Sequence, residues 1–257
     1  MKIRRARTLS VKVSIVIPVL NEAINVRAAI DRAWAAGADD VVIVDGGSID
    51  GTAGIARLAR CRVFVGERGR GAQLNLGARH ASGDVLLFLH ADSWLAEHSV
   101  QQVRDGLRDD RVAGGAFCHR IAADGFIYRL IERGNAQRVR WFRMAYGDQG
   151  IFLRRDIFED VGGFPEVALM EDVRLMRKLR ARNRLILLPG PLHTSARRWQ
   201  QHGAVRQTLR NWWLRAAEAA GVSPDRLLHH YSAHSEAPDE CQVASRNAEK
   251  LASDRSA

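Results

Sequence analysis

The sequence predicts an α/β fold in which helices cover both faces of a mostly parallel sheet. Four short, mostly apolar runs, residues 13–17, 41–44, 62–65 and 85–89, are bounded by turn-forming residues and are too short for helices. Such runs are typical of strands that are buried on both faces. Segments with helical spacing lie between the runs, and this alternation implies parallel strands joined by right-handed crossovers.

The first half of the chain supplies these units in order. Pro18 is expected to end the first strand, and Asn21 is expected to cap the helix that follows. The second strand ends at Asp45, and a turn-rich loop, residues 46–52, leads into a second helix. A third helix, residues 71–81, precedes the fourth strand.

The second half of the chain has a looser pattern. A strand over residues 112–121 contains an irregularity at Gly114-Gly115, and a last buried strand is expected at residues 184–188. Glu171 and Asp172 open a helix with apolar positions at helical spacing. The remaining elements are helices at 100–107, 126–141 and 156–161, and a strand within residues 146–153 that is entered through a polar, glycine-flanked turn.

Three segments make up the predicted domain organisation. Residues 1–200 form the α/β domain, residues 201–231 a C-terminal helical extension, and residues 232–257 a disordered tail. The extension is predicted from an amphipathic helix over residues 204–220. The tail is predicted from its polar composition, which lacks apolar periodicity.

The charge and the cysteines narrow the function classes. The net charge of +10 comes almost entirely from arginine, which suits phosphorylated substrates, anionic lipid or nucleic acid. The sequence contains no recognisable reading helix or aromatic platform, so no nucleic-acid partner is expected. Cys61, Cys118 and Cys241 form no CxxC pair, which argues against a zinc site and fits a reducing, cytoplasmic compartment.

Two neighbouring features predict a ligand site. The fourth strand stops at His90-Ala91-Asp92, beyond the carboxyl end of a parallel strand, where ligands bind in open α/β sheets. The preceding helix starts with Arg70, Gln73 and Asn75, and a helix N-terminus favours anions. Together these residues suggest a nucleotide diphosphate bound with a metal ion.

Five ordered motifs resemble the family 2 glycosyltransferases, which are inverting enzymes with a nucleotide-sugar-binding α/β domain called GT-A. They cover roughly residues 12–200, and their order is more specific than any one of them. The subgroup that the sequence most resembles is a set of small bacterial transferases linked to arsenosugar or related natural-product pathways. The motifs are residues 14–22, 44–52, 68–75, 89–92 and 170–172.

The resemblance implies roles for several residues on the donor side. Asp45 matches a carboxylate that contacts the uracil or ribose of the donor, whereas the second Asp found next in many family members is Gly46 here. Asp92 matches the last carboxylate of the metal motif, and His90 stands where the first one is expected. The implied cofactor is a divalent cation, and imidazole suits Mn²⁺ better than Mg²⁺.

The resemblance also implies the catalytic residues. Asp172 matches the general base that removes the proton of the acceptor hydroxyl, and Glu171 is a supporting residue. Asp148 and Gln149 are expected to contact donor or acceptor, although they would also suit a β-turn. The full set of predicted donor contacts is Pro18, Asn21, Glu22, Asp45, Gly47, Arg70, Gln73, Asn75, His90, Ala91, Asp92, Asp148, Gln149, Arg197, Arg198 and Trp199.

The resulting prediction is an inverting glycosyltransferase that moves a sugar from a nucleotide-diphospho-sugar, UDP-linked, to a hydroxyl of a small-molecule or lipid-like acceptor. One alternative is a sugar-phosphate nucleotidyltransferase, which would release pyrophosphate. The other is a basic nucleic-acid-binding protein, whose affinity would fall steeply with salt. Trp212 and Trp213, with basic neighbours on the 204–220 helix, also predict peripheral contact with an anionic membrane at its cytoplasmic face.

Overall fold

The computed structural model describes residues 11–181, 183–196, 199–200, 203–223 and 226–227. The strands are β1 (Val13–Val19), β2 (Asp40–Asp45), β3 (Arg62–Val65), β4 (Val85–Phe88), β5 (Ser93–Leu95), β6 (Val112–Ala122), β7 (Phe152–Arg154) and β8 (Arg184–Ser195). The helices are α1 (Val26–Ala35), α2 (Thr52–Arg57), α3 (Arg70–His80), α4 (Ser99–Gly106), α5 (Phe126–Phe142), α6 (Arg155–Asp160), α7 (Glu171–Arg180) and α8 (Ala204–Ala219). A short 3-10 turn spans Gly147–Gln149.

One mixed sheet holds these strands in the order β3-β2-β1-β4-β7-β6-β8-β5. β3, β2, β1 and β4 are parallel, as predicted. β7 is antiparallel to both β4 and β6, and β5 is antiparallel to β8. The α/β class is therefore confirmed, and the antiparallel insertions lie in the half of the chain whose pattern is looser.

Helices cover both faces of the sheet because alternate residues of its strands point to opposite sides. Val13, Ile15 and Ile17 of β1 enter an apolar cluster that also contains residues of α1 and α4. Val16 enters the second cluster, together with residues of α3, α6 and α7. The four helices predicted at 71–81, 100–107, 126–141 and 156–161 each form within one residue of the expected bounds.

Two predicted boundaries near the end of β1 are wrong. Pro18 does not end the strand, which continues to Val19. The Val16 carbonyl oxygen accepts a hydrogen bond from the Leu89 N–H, so the nitrogen of Pro18, two residues on, points to the same side, where pairing with β4 has ended. Proline is tolerated there because no donor is needed.

Asn21 does not cap α1. It adopts a left-handed backbone conformation, with φ of 53°, and Asn25 occupies the residue before the helix. The turn between them is held by the Glu22 carbonyl oxygen, which accepts hydrogen bonds from the N–H groups of Asn25 and Val26. Asn21 therefore belongs to the loop at the carboxyl end of β1.

The second half of the chain contains strand pairing that local pattern does not reveal. β8 continues through Pro189 and Pro191 to Ser195, and its far end pairs with β5, which the sequence did not indicate. The predicted irregularity at Gly114-Gly115 is confirmed, since the register between β6 and β8 shifts between Val112 and Gly114. These pairings are long-range, so they depend on partners that are distant in sequence.

The chain divides into two compact units, residues 1–211 and 212–257. The second unit is described over residues 212–223 and 226–227, where Trp212 and Trp213 are exposed. The tail predicted at 232–257 lies outside the described residues. No described helix is both long and apolar enough to cross a membrane.

Close packing of α3 on the sheet depends on Gly77. A Cβ on this residue would overlap Val16 Cγ1 and lie 3.0 Å from Val44 Cγ2. Gly54, by contrast, is a helical glycine with no atom within 4 Å of the same position. The two residues therefore form a matched pair.

We expect Gly77→Ala to lower the free energy of unfolding by about 1–3 kcal/mol, because the extra methyl overpacks the interface between α3 and the sheet. Gly54→Ala should raise it by about 0.5–1 kcal/mol, since alanine favours the helix. Denaturant unfolding of both variants measures the difference. Equal stability in the two variants would show that α3 does not lie against the sheet as described.

Candidate active site

Two acidic residues that are distant in sequence approach one turn of the chain. Gly147 donates its backbone N–H to Asp172 Oδ2 at 2.6 Å. A Cβ on Gly147 would lie 2.7 Å from His90 Nε2 and 3.4 Å from Asp172 Oδ2. The end of β4 and the start of α7 therefore meet at Gly147, and only a residue without a side chain fits between them.

The start of α7 is shaped to present its carboxylates. Met170 precedes the helix in a left-handed conformation, with φ of 68°, which is costly for a residue that has a side chain. Asp172 Oδ1 also accepts the N–H of Val173 at 2.7 Å. Glu171 is buried, whereas Asp172 is only partly so.

Burial and the negative charge of Glu171 raise the pKa of Asp172 to about 6. The N–H donors of Gly147 and Val173 and the positive charge of Arg70 act in the opposite direction. A carboxylate with such a pKa is ionised near neutral pH and is still basic enough to accept a proton. This combination is characteristic of functional sites.

Arg70 offsets the negative charge at the start of α7. Its Nη1 lies 3.3 Å from Glu171 Oε1, and the Arg70 side chain is about one-third exposed while that of Glu171 is buried. The first residue of α3 is thereby linked to the first residue of α7. Arg70, a predicted phosphate contact, is thus paired with an acidic residue at the start of α7.

His90 lies among charged groups from several elements. Burial and the positive charge of Arg70 lower the pKa of His90 to about 4, while Asp92, Asp148 and Glu171 oppose that shift. The imidazole is therefore neutral at pH 7, as a metal ligand must be.

Asp92, two residues after His90, is half-buried, and its Oδ1 accepts the Ser93 hydroxyl at 3.3 Å. Among the residues that the structure describes, no group of three or more His, Cys, Asp or Glu side chains is arranged to hold a metal ion. The roles of His90 and Asp92 as metal ligands therefore stay predictions, and two protein ligands would require a bound diphosphate to supply the remaining oxygen ligands.

The loops after β1 and β2 form a second part of the site. Asn21 accepts the Ile49 N–H at its Oδ1, 3.0 Å away, and donates its own N–H to Ser48 Oγ at 2.8 Å. The Glu22 N–H donates to Thr52 Oγ1 at 2.8 Å. Asp45 is almost fully buried and accepts both the N–H and the hydroxyl of Ser48.

These contacts fix the backbone of both loops at the edge of the sheet where the predicted donor contacts lie. Pro18 is half-buried, Gly47 is exposed with φ of 90°, and Ala91 is buried.

The structure gives Gln73 and Asn75 internal roles where the sequence predicted donor contacts. Gln73 is 5% exposed, and its Nε2 donates to the carbonyl oxygens of Val19 and Val44 at 2.9 and 2.8 Å. A Cβ on Gly46 would lie 3.0 Å from the Gln73 amide, so the glycine makes room for this amide. Only three-dimensional packing shows that these two positions share one space.

Asn75 pairs with the backbone of Phe164 in both directions. Its Nδ2 donates to the Phe164 carbonyl oxygen at 2.8 Å, and its Oδ1 accepts the Phe164 N–H at 2.9 Å. This pairing anchors the segment that leads to α7. Of the three anion contacts predicted at the start of α3, Gln73 and Asn75 thus bind groups within the protein, and the role of Arg70 stays a prediction.

Gln149 is likewise internal. It is fully buried, and its Oε1 accepts Arg138 Nη2 at 2.6 Å and the Tyr146 N–H at 3.3 Å. Arg138 stacks on the Tyr146 ring at 3.7 Å and donates to the Met144 carbonyl oxygen. Asp148 is half-buried, and its negative charge raises the pKa of His90 against the effect of burial. In the predicted turn, Gln149 is therefore buried and fixes the turn, whereas Asp148 acts on His90.

The last predicted motif is only partly described. Arg197 and Arg198 lie outside the described residues. Trp199 is buried in a small apolar cluster with Ile121 and Ala196, and its ring lies 6.1 Å from that of His119. Trp199 therefore packs within the protein in this structure, and its predicted contact with the donor stays a prediction.

Sequence reasoning missed three residues that organise the site. Gly147 was identified only as part of a turn, Ser48 only as part of a loop, and Arg138 only as part of a helix. The flanking of Asp148-Gln149 by Gly147 and Gly150 was the available signal. Nothing local in the sequence marks Arg138.

The carboxyl edge of the parallel strands thus carries a His-x-Asp strand end, and a carboxylate of raised pKa meets it at Gly147. The family model for glycosyl transferase family 2 matches residues 14–164. The match covers more than half of the chain, so the protein belongs to glycosyl transferase family 2.

Two curated relatives agree with this assignment. The "Probable glycosyltransferase YdaM" of Bacillus subtilis is 26% identical over 190 residues, which is 64% of this chain and 45% of that protein. The "Glycosyltransferase AglE" of Haloferax volcanii is 30% identical over 178 residues, 60% of this chain and 56% of that protein. The chain spans about half the length of these relatives.

Solved structures share the fold. The mannosyltransferase PcManGT from Pyrobaculum calidifontis, in complex with GDP-Man and Mn²⁺, has a TM-score of 0.61 and 19% identity and covers 95% of this chain and 81% of its own. S. aureus TarS 1-349 in complex with UDP-GlcNAc has a TM-score of 0.55 and 18% identity over 72% of this chain and 58% of its own. The GT-A fold expected from the sequence is thereby confirmed.

We expect Asn75→Ala to lower the free energy of unfolding by about 1–3 kcal/mol, because it leaves the N–H and the carbonyl oxygen of Phe164 without their partner. Gln101→Ala, which removes an exposed helical amide, should change it by no more than about 0.5 kcal/mol. Denaturant unfolding measures both. A stable Asn75→Ala protein with weakened binding of nucleotide diphosphate would restore Asn75 as a donor contact.

Proposed function

We propose that this protein is a glycosyltransferase that moves a sugar from a nucleotide-diphospho-sugar to an acceptor hydroxyl with inversion at the anomeric carbon. The observation that carries the proposal is Asp172, whose pKa is raised to about 6 and whose carboxylate faces the strand end His90-Ala91-Asp92 across Gly147. Family membership supports sugar transfer over the nucleotidyltransferase and nucleic-acid-binding alternatives.

Asp172 is the proposed general base. In an inverting transfer the acceptor oxygen attacks the anomeric carbon on the face opposite the departing diphosphate, and a base removes the hydroxyl proton as the bond forms. The Gly147 and Val173 N–H groups fix the Asp172 carboxylate, so it enters the reaction already oriented. Glu171 supports it by raising its pKa.

The proposed donor site lies at the carboxyl ends of β1, β2 and β4. Asp45 and the loop it holds would contact the nucleoside, and Arg70 would contact the diphosphate. Asp92 and His90 would hold a divalent cation, which supplies positive charge to the diphosphate as it leaves. Structural relatives were solved with GDP-Man and Mn²⁺ and with UDP-GlcNAc, and we propose a UDP-linked donor here.

Asp172→Asn should lower the rate of transfer by about 10²–10⁴-fold, because the amide cannot accept the hydroxyl proton. Asp92→Asn should cause a loss of about 10²-fold or more, through weaker stabilisation of the leaving diphosphate. The rates are measured with UDP-sugars and GDP-sugars, each with Mn²⁺ and with Mg²⁺.

Asp105→Asn is the matched control for these two variants, because its carboxylate forms an exposed ion pair on α4, and it should keep wild-type activity. Circular dichroism checks that each variant is folded. Wild-type rates in a folded Asp172→Asn protein would exclude Asp172 as the base.

The pH dependence follows from the raised pKa of Asp172. A general base must be ionised, so kcat/KM should rise with pH up to a midpoint of about 6 and fall roughly tenfold per pH unit below it. Arg70→Gln should move this limb to higher pH, because the positive charge of Arg70 lowers the pKa of Asp172, and Arg70→Lys should largely retain it. A limb near pH 4 in the wild-type protein would contradict the raised pKa.

A further inference from the structure

The outward face of α5 exposes large apolar side chains. Phe126, Leu130 and Trp141 are 77%, 53% and 75% exposed, and their spacing of four and eleven residues places them on one side of the helix. Val139 is the one residue of this helix that is buried, and Tyr128 and Ile131 are partly buried against a small apolar cluster. A face of this kind in a folded protein marks an interaction surface.

Positive charge accompanies these apolar residues. Arg133 and Arg140 are exposed on the same face, and Arg143 is exposed just after the helix. The acid within α5, Glu132, is nearly buried and is held by Arg129 at 2.7 Å. The exposed face of α5 therefore combines aromatic and basic side chains without an exposed carboxylate, although Asp124 is exposed before the helix begins.

The inner side of the same helix braces the candidate active site. Arg138 donates to Gln149 Oε1 at 2.6 Å and stacks on Tyr146. Gly147, between those two residues, donates to the proposed base, Asp172. A single helix thus joins the exposed surface to the turn that orients the Asp172 carboxylate.

We propose that α5 docks on an anionic lipid bilayer and that the acceptor is an amphiphile which the bilayer presents to the site. The second clause rests on the proposed function. Aromatic and aliphatic side chains insert at the boundary between headgroups and acyl chains, and interleaved arginines bind anionic headgroups. The sequence predicted membrane contact at Trp212 and Trp213, whereas the exposed apolar and basic side chains of α5 favour this helix as the docking surface.

Charge favours lipid over a second copy of this chain. Two copies meeting through α5 would bring Arg133 and Arg140 of each copy together, and like charges across an interface oppose association. The net charge of +10 adds to that repulsion. An anionic bilayer has the opposite sign and attracts the same face.

The start of α8 also carries exposed apolar side chains within the first unit. Ala204, Tyr128 and Ile131 pack against the same small cluster around Trp199. Val205 and Leu209, one turn apart on α8, are 58% and 56% exposed. Val205 and Leu209 follow Ala204 on α8, and their exposed apolar side chains suit the same bilayer.

Co-sedimentation of the full chain with vesicles tests the docking. Vesicles of phosphatidylcholine and phosphatidylglycerol in a 3:1 ratio should bind it at least about tenfold more tightly than phosphatidylcholine alone. Phe126→Ser/Trp141→Ser should weaken that binding at least about tenfold. Arg133→Gln/Arg140→Gln should weaken it about threefold or more and reduce its dependence on salt.

Two matched double variants serve as controls. Leu58→Ser/Val65→Ser removes apolar side chains that are 85% and 58% exposed elsewhere, and Arg57→Gln/Arg108→Gln removes the same number of exposed positive charges. Both should bind vesicles like the wild-type protein. Equal loss in the controls and the α5 variants, or no preference for anionic vesicles, would overturn the docking. Dimerisation that Phe126→Ser/Trp141→Ser abolishes, without vesicle binding, would replace it by self-association.

The acceptor clause has its own readout. With UDP-sugar and Mn²⁺, vesicles that contain a bacterial lipid extract should yield a sugar-labelled lipid, and the α5 variants should make less of it at low vesicle concentration. Their thermal stabilisation by UDP and Mn²⁺ should match that of the wild-type protein. Vesicle binding with sugar transfer only to water-soluble alcohols would overturn the amphiphilic acceptor while the docking stands. Failure of the proposed function would instead appear as transfer to neither kind of acceptor.

Discussion

The hydrogen bond from the Gly147 N–H to Asp172 Oδ2 is the contact on which the site depends. It joins the 3-10 turn to the start of α7, and the missing side chain of Gly147 lets His90 approach from the end of β4. Each partner is placed by a separate part of the fold. β4 lies in the parallel half of the sheet, the turn precedes the antiparallel strand β7, and α7 leads into β8. The mixed sheet is thus the means by which residues far apart in sequence surround one point.

Burying Glu171 and Asp172 next to each other has an electrostatic cost, which other groups in the structure partly offset. Glu171 and Asp172 are adjacent and largely removed from water, and burial and the negative charge of Glu171 disfavour the ionised form of Asp172. Arg70 and two backbone N–H donors stabilise the charged forms. The balance leaves the pKa of Asp172 at about 6, between the value of a free carboxylate and that of a fully buried one. Full compensation by positive charge would lower the pKa of Asp172 towards the value of a free carboxylate, and the proposed base would then be weaker.

Sequence pattern was sufficient for the parallel half of the sheet and for most helices, because their apolar periodicity is local. It also predicted roles for His90, Asp92 and Asp172 from their positions at the end of a strand or the start of a helix, and the structure has Gly147 beside His90 and hydrogen-bonded to Asp172. It was insufficient where a residue acts through a distant partner. Gln73 and Asn75 have the residue types of phosphate ligands, yet they serve the carbonyl oxygens of Val19 and Val44 and the backbone of Phe164. The same limit concealed β5, which forms only because β8 continues past two prolines.

We expect folding to place Asp172 where its carboxyl group can act as a base at neutral pH. A ¹³C NMR titration of the Asp172 carboxyl carbon in the free protein, assigned with Asp172→Asn, measures this property directly. We expect a midpoint of about 6. A midpoint near 3.8, the value of an unperturbed aspartate, would contradict the burial of the Asp172 carboxyl group described here.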